Sequence, residues 1–183
     1  MAKIAVFFGT GYEEIEALTV VDMCRRAGIE TRMVSITGEK MVAGSHRINV
    51  EMVLQYEDVD FDSLDMIVLP GGMPGTKNLE AHAGLMAQVD AFYEAGRPLA
   101  AICAAPSIFG HRGILKGRKA CCYPGFEKEL EGANVVFDSV AVDGSVITSR
   151  GMGCAIGFSL AIIEMLCGKD VADAKAESVI YLK

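Results

Sequence analysis

Cys103 is the residue in this chain best placed to do chemistry, because of its neighbours. It ends the run Leu99-Ala100-Ala101-Ile102 and is followed by Ala104-Ala105-Pro106. A short apolar run reads as a buried parallel strand, and proline suits the first turn of a helix. The thiol is therefore expected on a strand-to-helix turn. A nucleophile elbow makes the same demand: the reactive residue sits on a sharp, strained turn, so its neighbours must be small. Ala101, Ala104 and Ala105 meet it. The start of the next helix is expected to stabilise a thiolate and lower the thiol pKa. The competing reading is a small cysteine filling the end of a core strand.

Two other segments carry groups that a thiol nucleophile would use. Glu13, Glu14 and Glu16 cluster where a helical pattern begins. Complementing the helix dipole suits Glu13 and Glu14. For Glu16 there is a sharper option, although residue types alone do not select it from its neighbours. A carboxyl beside a thiol can share its proton, and partial burial would raise its pKa into the range of general acid–base work. Gly71-Gly72 follows the strand-like run Asp65–Leu69 and Pro70. Its backbone N–H groups, joined by that of Ala104, could form an oxyanion hole facing Cys103; a plain tight turn is the alternative.

The three histidines offer no obvious base. His111 lies eight residues past Cys103, about 12 Å along the same expected helix. His82 is placed in a polar helical stretch facing solvent, and His46 in a hairpin or loop.

Several function classes are disfavoured. Gly9-Thr10-Gly11 resembles a dinucleotide loop, but Glu14 stands where a third small residue is needed. Acidic residues there would repel a phosphate. Pro70–Lys77 lacks P-loop spacing. A net charge of −7 without a basic patch argues against stable nucleic-acid binding. The six cysteines, at 24, 103, 121, 122, 154 and 167, contain no C-x-x-C, and zinc spacing is absent. No metal or cofactor is expected. Cys154 and Cys167 read as core. No apolar run reaches membrane-spanning length, and the start does not read as a signal peptide, so the cytoplasm is the expected compartment.

The elements that must position these groups alternate. Strands are expected at Lys3–Phe8, Glu30–Ser35, Asp65–Leu69, Leu99–Ile102, Val135–Phe137, Ala141–Asp143 and Val146–Ser149. Met41–Leu54 reads as a hairpin. Helices are expected at Glu14–Ala27, Asn78–Ala95 and Cys154–Leu166, with a last helix or extended end from Lys169. With 183 residues, 51% of them hydrophobic, the chain can bury one large core. Strand–helix alternation calls for an α/β fold with a mostly parallel sheet covered on both faces. A site is then expected beyond the carboxyl ends of the strands. Gly9–Glu16, Pro70–Thr76 and Cys103–Ser107 all meet that criterion.

Taken together, Glu13-Glu14-Ile15-Glu16, Val68-Leu69-Pro70-Gly71-Gly72, Ala101-Ile102-Cys103-Ala104-Ala105-Pro106 and Thr148-Ser149-Arg150-Gly151 resemble the ThiJ/PfpI superfamily, in its parkinsonism-associated deglycase branch. The resemblance implies a single ThiJ/PfpI-like domain over 1–183, a flavodoxin-like three-layer sandwich. It implies Cys103 as a nucleophile readily oxidised to a sulfinate, and Glu16 as its hydrogen-bonded partner. Backbone amides of Gly72 and Ala104 would line the oxyanion site, with Gly71, Tyr123 and Arg150 around the pocket. A homodimer is implied, with Arg26 and His46 as candidate contacts. Ala104 stands where peptidase-like and chaperone-like branches carry a histidine. Cys122-Tyr123-Pro124 replaces the Thr-His-Pro of animal members, and Met152 and Cys154 replace a common Pro and Thr. The activity implied is a cofactor-independent glyoxalase or deglycase acting on methylglyoxal-like α-oxoaldehydes, or on glycated protein or nucleotide. A redox sensor or stress chaperone is the alternative. An amidase of the same fold is a third reading, disfavoured by the missing histidine.

Overall fold

The computed structural model describes residues 1–181. In chain order the elements are β1 (Lys3–Phe8), α1 (Glu14–Arg26), β2 (Glu30–Ser35), β3 (Met41–Ala43), β4 (Asn49–Glu51), β5 (Leu54–Gln55), β6 (Met66–Leu69), α2 (Gly75–Ala81) and α3 (Ala83–Glu94). There follow β7 (Leu99–Ile102), α4 (Pro106–His111), β8 (Lys119–Ala120), β9 (Asn134–Val135), β10 (Val140–Asp143), β11 (Val146–Ser149), α5 (Ala155–Cys167) and α6 (Lys169–Ser178). Seven strands make the central sheet, in the order β10-β11-β7-β6-β1-β2-β5. Every neighbouring pair is parallel except the hairpin β10–β11.

Crossover connections cover both faces of such a sheet, so its inner strands must be apolar on both sides. β6 and β7, read as MIVL and LAAI, are buried throughout. Alternation along β1 divides the interior in two. Ile4, Val6 and Phe8 pack with Ala17, Val20, Phe158 and Ile162 from α1 and α5. Ala5 and Phe7 pack with Leu79, Val89, Phe92, Ile108 and Phe109 from α2, α3 and α4. The result is the expected flavodoxin-like three-layer α/β sandwich.

Local expectations fail where a short contact outweighs the pattern. Asn78–Ala95 is not one helix: it breaks at His82, whose ring nitrogen accepts the Leu85 N–H at 3.0 Å and caps α3. That ring also packs 4.3 Å from Tyr56, so His82 is half-buried rather than solvent-facing. Met41–Leu54 yields the hairpin β3–β4, but Leu54 leaves it to start β5 on the main sheet. The strand expected at Val135–Phe137 shortens to β9, which pairs with β8 in a separate two-stranded sheet, and Phe137 is exposed. Cys154 precedes α5 in a 3-10 turn, and both Cys154 and Cys167 are half-buried rather than core. The tail from Lys169 is helical as α6. Among the described residues no helix is long and apolar enough to cross a membrane.

Candidate active site

The carboxyl ends of β1, β6, β7 and β11 bring the candidate residues together. Cys103 follows β7 with φ +66, a left-handed conformation that is costly for a residue with a side chain. Three contacts hold it there. Its N–H donates to the Ser149 carbonyl at 2.9 Å, its own carbonyl accepts from Tyr123 N–H at 2.8 Å, and Pro106 opens α4 just beyond. The small flanks and the strained backbone are those of a nucleophile elbow.

Gly71, at the end of β6, packs directly on this turn. A Cβ there would lie 2.5 Å from Cβ of Cys103 and 2.6 Å from Oε2 of Glu16, so only glycine fits. The Gly71 N–H donates to Oε2 of Glu16 at 2.9 Å, and its carbonyl accepts from Glu13 N–H at 2.8 Å. β6 thereby fixes the first turn of α1 against the elbow. Glu14 and Glu16 are both buried, at 4% and 1% exposed; what sets Glu16 apart is that its partner is the Gly71 N–H beside the elbow.

Burial pushes the Glu16 carboxyl up to about 7, and the charge of Glu13 adds to this; hydrogen bonds from Cys103 and Gly71 pull the other way. Burial also pushes the Cys103 thiol up, to about 12, helped by the charge of Glu16 and the hydrogen bond to it. The expected lowering of the thiol pKa is therefore overturned. α4 is only six residues long. What opposes the rise is the N–H groups of Gly72 and Ala104, which both hydrogen-bond the Cys103 sulfur. They do not outweigh desolvation beside a carboxylate. Near neutrality the thiol keeps its proton while the carboxyl titrates. Glu16 raises the proton affinity of the thiol and the thiol's hydrogen bond lowers that of the carboxyl, so the two form a coupled pair.

Gly72 and Ala104 thus stand where an oxyanion hole would need them. Tyr123 is half exposed at the rim of the site, packed against Gly151. Arg150 donates its N–H to the Ser139 carbonyl at 3.2 Å. Its guanidinium lies 5.7 Å from the Phe137 ring centroid. No hydrogen bond joins it to Cys103 or Glu16.

Other expected residues belong elsewhere. His46 Nδ1 lies 3.2 Å from Oε2 of Glu14, and the His46 N–H donates to Oε1 at 2.7 Å. The Ser45 hydroxyl lies 3.0 Å from carboxylate oxygens of both Glu13 and Glu14. Burial of Glu14 opposes its ionisation, but hydrogen bonds from its own backbone, His46 and Ser45 hold its carboxyl down at about 2. Glu13, Glu14 and His46 place metal-ligating atom types within 4.8 Å of one another. The hydrogen bonds account for the cluster as a clamp between α1 and the turn after β3. Arg26 is exposed and paired with Asp22 one turn earlier, at 2.6 Å. His111 lies between Glu80 (2.6 Å) and Glu129 (2.9 Å), which raise its pKa. It stays at the far end of α4. Ser149 is a site residue that spacing did not single out; its backbone carbonyl, which residue type does not reveal, is what binds Cys103.

Comparisons with known proteins agree with this fold. The model for the DJ-1/PfpI family matches residues 2–165. Protein DJ-1 homolog B of Arabidopsis thaliana is 36% identical over 172 residues, covering 93% of this chain and 39% of the plant protein. The chain thus spans well under half the length of that relative. "Deglycase TK1284" of Thermococcus kodakarensis is 29% identical, over 90% of this chain and 99% of the relative. A solved structure described as "Toxoplasma gondii DJ-1, oxidized" superposes with a TM-score of 0.96 at 33% identity, covering 100% of both chains.

Proposed function

This chain belongs to the DJ-1/PfpI family, and from that premise we propose that it is a cofactor-independent glyoxalase or deglycase for small α-oxoaldehydes such as methylglyoxal. The observation that carries the proposal is the buried Glu16 carboxyl, held by the Gly71 N–H and hydrogen-bonded to the Cys103 thiol. A group titrating near 7 can both take and return a proton at neutral pH.

Glu16, as carboxylate, takes the Cys103 thiol proton as the sulfur attacks the aldehyde carbon, and passes that proton to the carbonyl oxygen, giving a hemithioacetal and a free carboxylate. The N–H groups of Gly72 and Ala104 receive the developing oxyanion. Glu16 then removes the proton from the carbon bonded to sulfur, and an enediol forms. Returning a proton to the adjacent carbon leaves a thioester of the hydroxy acid. Water cleaves the thioester, releasing lactate from methylglyoxal and restoring the thiol. The aldehyde carbon is oxidised and the ketone carbon reduced, so electrons balance within the substrate. The same attack on an early adduct would free a glycated protein or nucleotide, and the relative named a deglycase supports that extension.

The test is lactate formation from methylglyoxal by wild type, Cys103→Ala and Glu16→Gln. Loss in both variants supports the mechanism; equal rates in all three overturn it.

A second reading rests on the same amides. The Gly72 and Ala104 N–H groups at the sulfur would also hold the oxygens of a Cys103 sulfinate, and one similar structure is described as oxidized. A gain of two oxygens at Cys103 after mild peroxide, with no aldehyde turnover, would favour a redox sensor. We also infer a homodimer and a cytoplasmic, thiol-preserving setting. Arg26 borders an open groove of 580 Å³ with Leu18, Met23, Ile156 and Val179, and His46 is the other candidate contact. Sedimentation as a monomer at micromolar concentration would refute the dimer.

A further inference from the structure

We propose that Gly151 determines which substrates reach Glu16, by carrying no side chain between Oε1 of its carboxylate and the Tyr123 ring. This rests on the aldehyde chemistry above and goes on to assign its substrate selectivity to one position.

The two oxygens of Glu16 are not equivalent. Oε2 is fixed by the Gly71 N–H at 2.9 Å. Oε1 faces Gly151: a Cβ built there would sit 3.9 Å from it. On its other side that Cβ would meet the edge of the Tyr123 ring, at 3.3 Å from Cδ2 and 3.7 Å from Cε2. The space is therefore bounded by Oε1 of Glu16 on one side and an aromatic edge on the other.

The backbone does not require glycine here. Gly151 has φ 163, extended backbone that any residue adopts. Its missing side chain is thus a matter of space. Tyr123 is 50% exposed, so its ring can shift outward. Its N–H is tied to the Cys103 carbonyl at 2.8 Å, which keeps this wall in register with the nucleophile. The carbon that receives the proton from Glu16 carries the variable substituent, and on this proposal that substituent lies in the space at Gly151. Filling that space with a methyl group will penalise substrates in order of substituent size, with hydrogen least affected and phenyl most.

The experiment compares kcat/KM for glyoxal, methylglyoxal and phenylglyoxal in wild type, Gly151→Ala, Gly151→Ser and the double variant Gly151→Ala with Tyr123→Ala. One added methyl or hydroxymethyl in a pocket changes discrimination by about tenfold or more. The phenylglyoxal-to-glyoxal ratio is expected to fall by at least about that factor in both single variants. It should recover in the double variant, where the wall is removed. An unchanged ratio in both single variants overturns the proposal. A second readout needs no turnover: the rate of Cys103 alkylation by iodoacetamide relative to N-phenylmaleimide, followed by peptide mass. Gly151→Ala should slow the bulky reagent selectively, and equal slowing of both reagents overturns the role of Gly151. Wild type that makes no hydroxy acid refutes the aldehyde chemistry, and the alkylation ratio then alone decides the role of Gly151.

Discussion

Glu16 hydrogen-bonds the Cys103 thiol inside the fold, and burial raises the proton affinity of both groups. The pair is neither a free thiolate beside a carboxylate nor two neutral acids held at random. Gly71 aligns it from one side, through an N–H to Oε2. The amides of Gly72 and Ala104 address the sulfur from the other. A buried carboxyl that keeps its proton near neutrality has a cost to the fold, and that cost is measurable.

Between pH 4.5 and about 7 the folded protein keeps the Glu16 proton that the unfolded chain has released. Stability therefore falls as pH rises through that window and levels off above it. Glu16→Gln carries no such loss. The variant should be more stable than wild type at pH 7 to 8 by roughly 1–3 kcal/mol, a gap that closes toward pH 4.5. Urea unfolding at several pH values reads this directly. A variant less stable than wild type at pH 8 would show that the carboxyl's hydrogen bonds outweigh its desolvation.

Gly71→Ala should damage both fold and site. The new Cβ would lie 2.5 Å from Cβ of Cys103, which has no flexible end to move aside. Overpacking of this kind costs about 1–3 kcal/mol, and the elbow must shift to relieve it. Denaturant midpoints and Cys103 alkylation rates should fall together. Wild-type values for both would contradict the contact.

The Glu14 clamp behaves in the opposite sense to Glu16. Its carboxyl is held down at about 2, against an ordinary value of 4.5. Its contribution is present above pH 4.5 and is lost as pH falls through about 2. Glu14→Gln should cost about 1–3 kcal/mol at neutral pH, toward the lower end because His46 is largely exposed. The difference should shrink on acidification. A cost that stays constant down to pH 2 would mean that shape, not charge, makes the clamp.

Much of the architecture is legible in the chain because burial imposes a period. Runs such as Met66–Leu69 and Leu99–Ile102 are apolar on both faces, as a covered parallel sheet requires. The elbow is legible for a related reason: a sharp strand-to-helix turn needs small residues near it, and Ala101, Ala104 and Ala105 supply them around Cys103. Selecting Glu16 is harder. Glu14 and Glu16 are two residues apart on one helix, and their partners come from distant loops, Gly44 to His46 for one and Gly71 for the other. The family resemblance selects Glu16; residue type does not. The raised thiol pKa is not legible, because a helix start is visible in a sequence, whereas the burial of Cys103 and the Glu16 charge beside it are not. His82 capping α3 was hidden similarly, since its ring nitrogen acts as an acceptor only in that geometry.

The most direct test of the Cys103–Glu16 unit is the pH dependence of Cys103 alkylation in wild type and Glu16→Gln, followed by peptide mass to separate it from the other five cysteines. Removing the carboxylate charge removes one cause of the raised thiol pKa and leaves the Gly72 and Ala104 amides in place. The alkylation midpoint should therefore move to lower pH in Glu16→Gln. Equal midpoints, or a higher one in the variant, would contradict the coupling of Cys103 to Glu16 and leave Cys103 an isolated thiol.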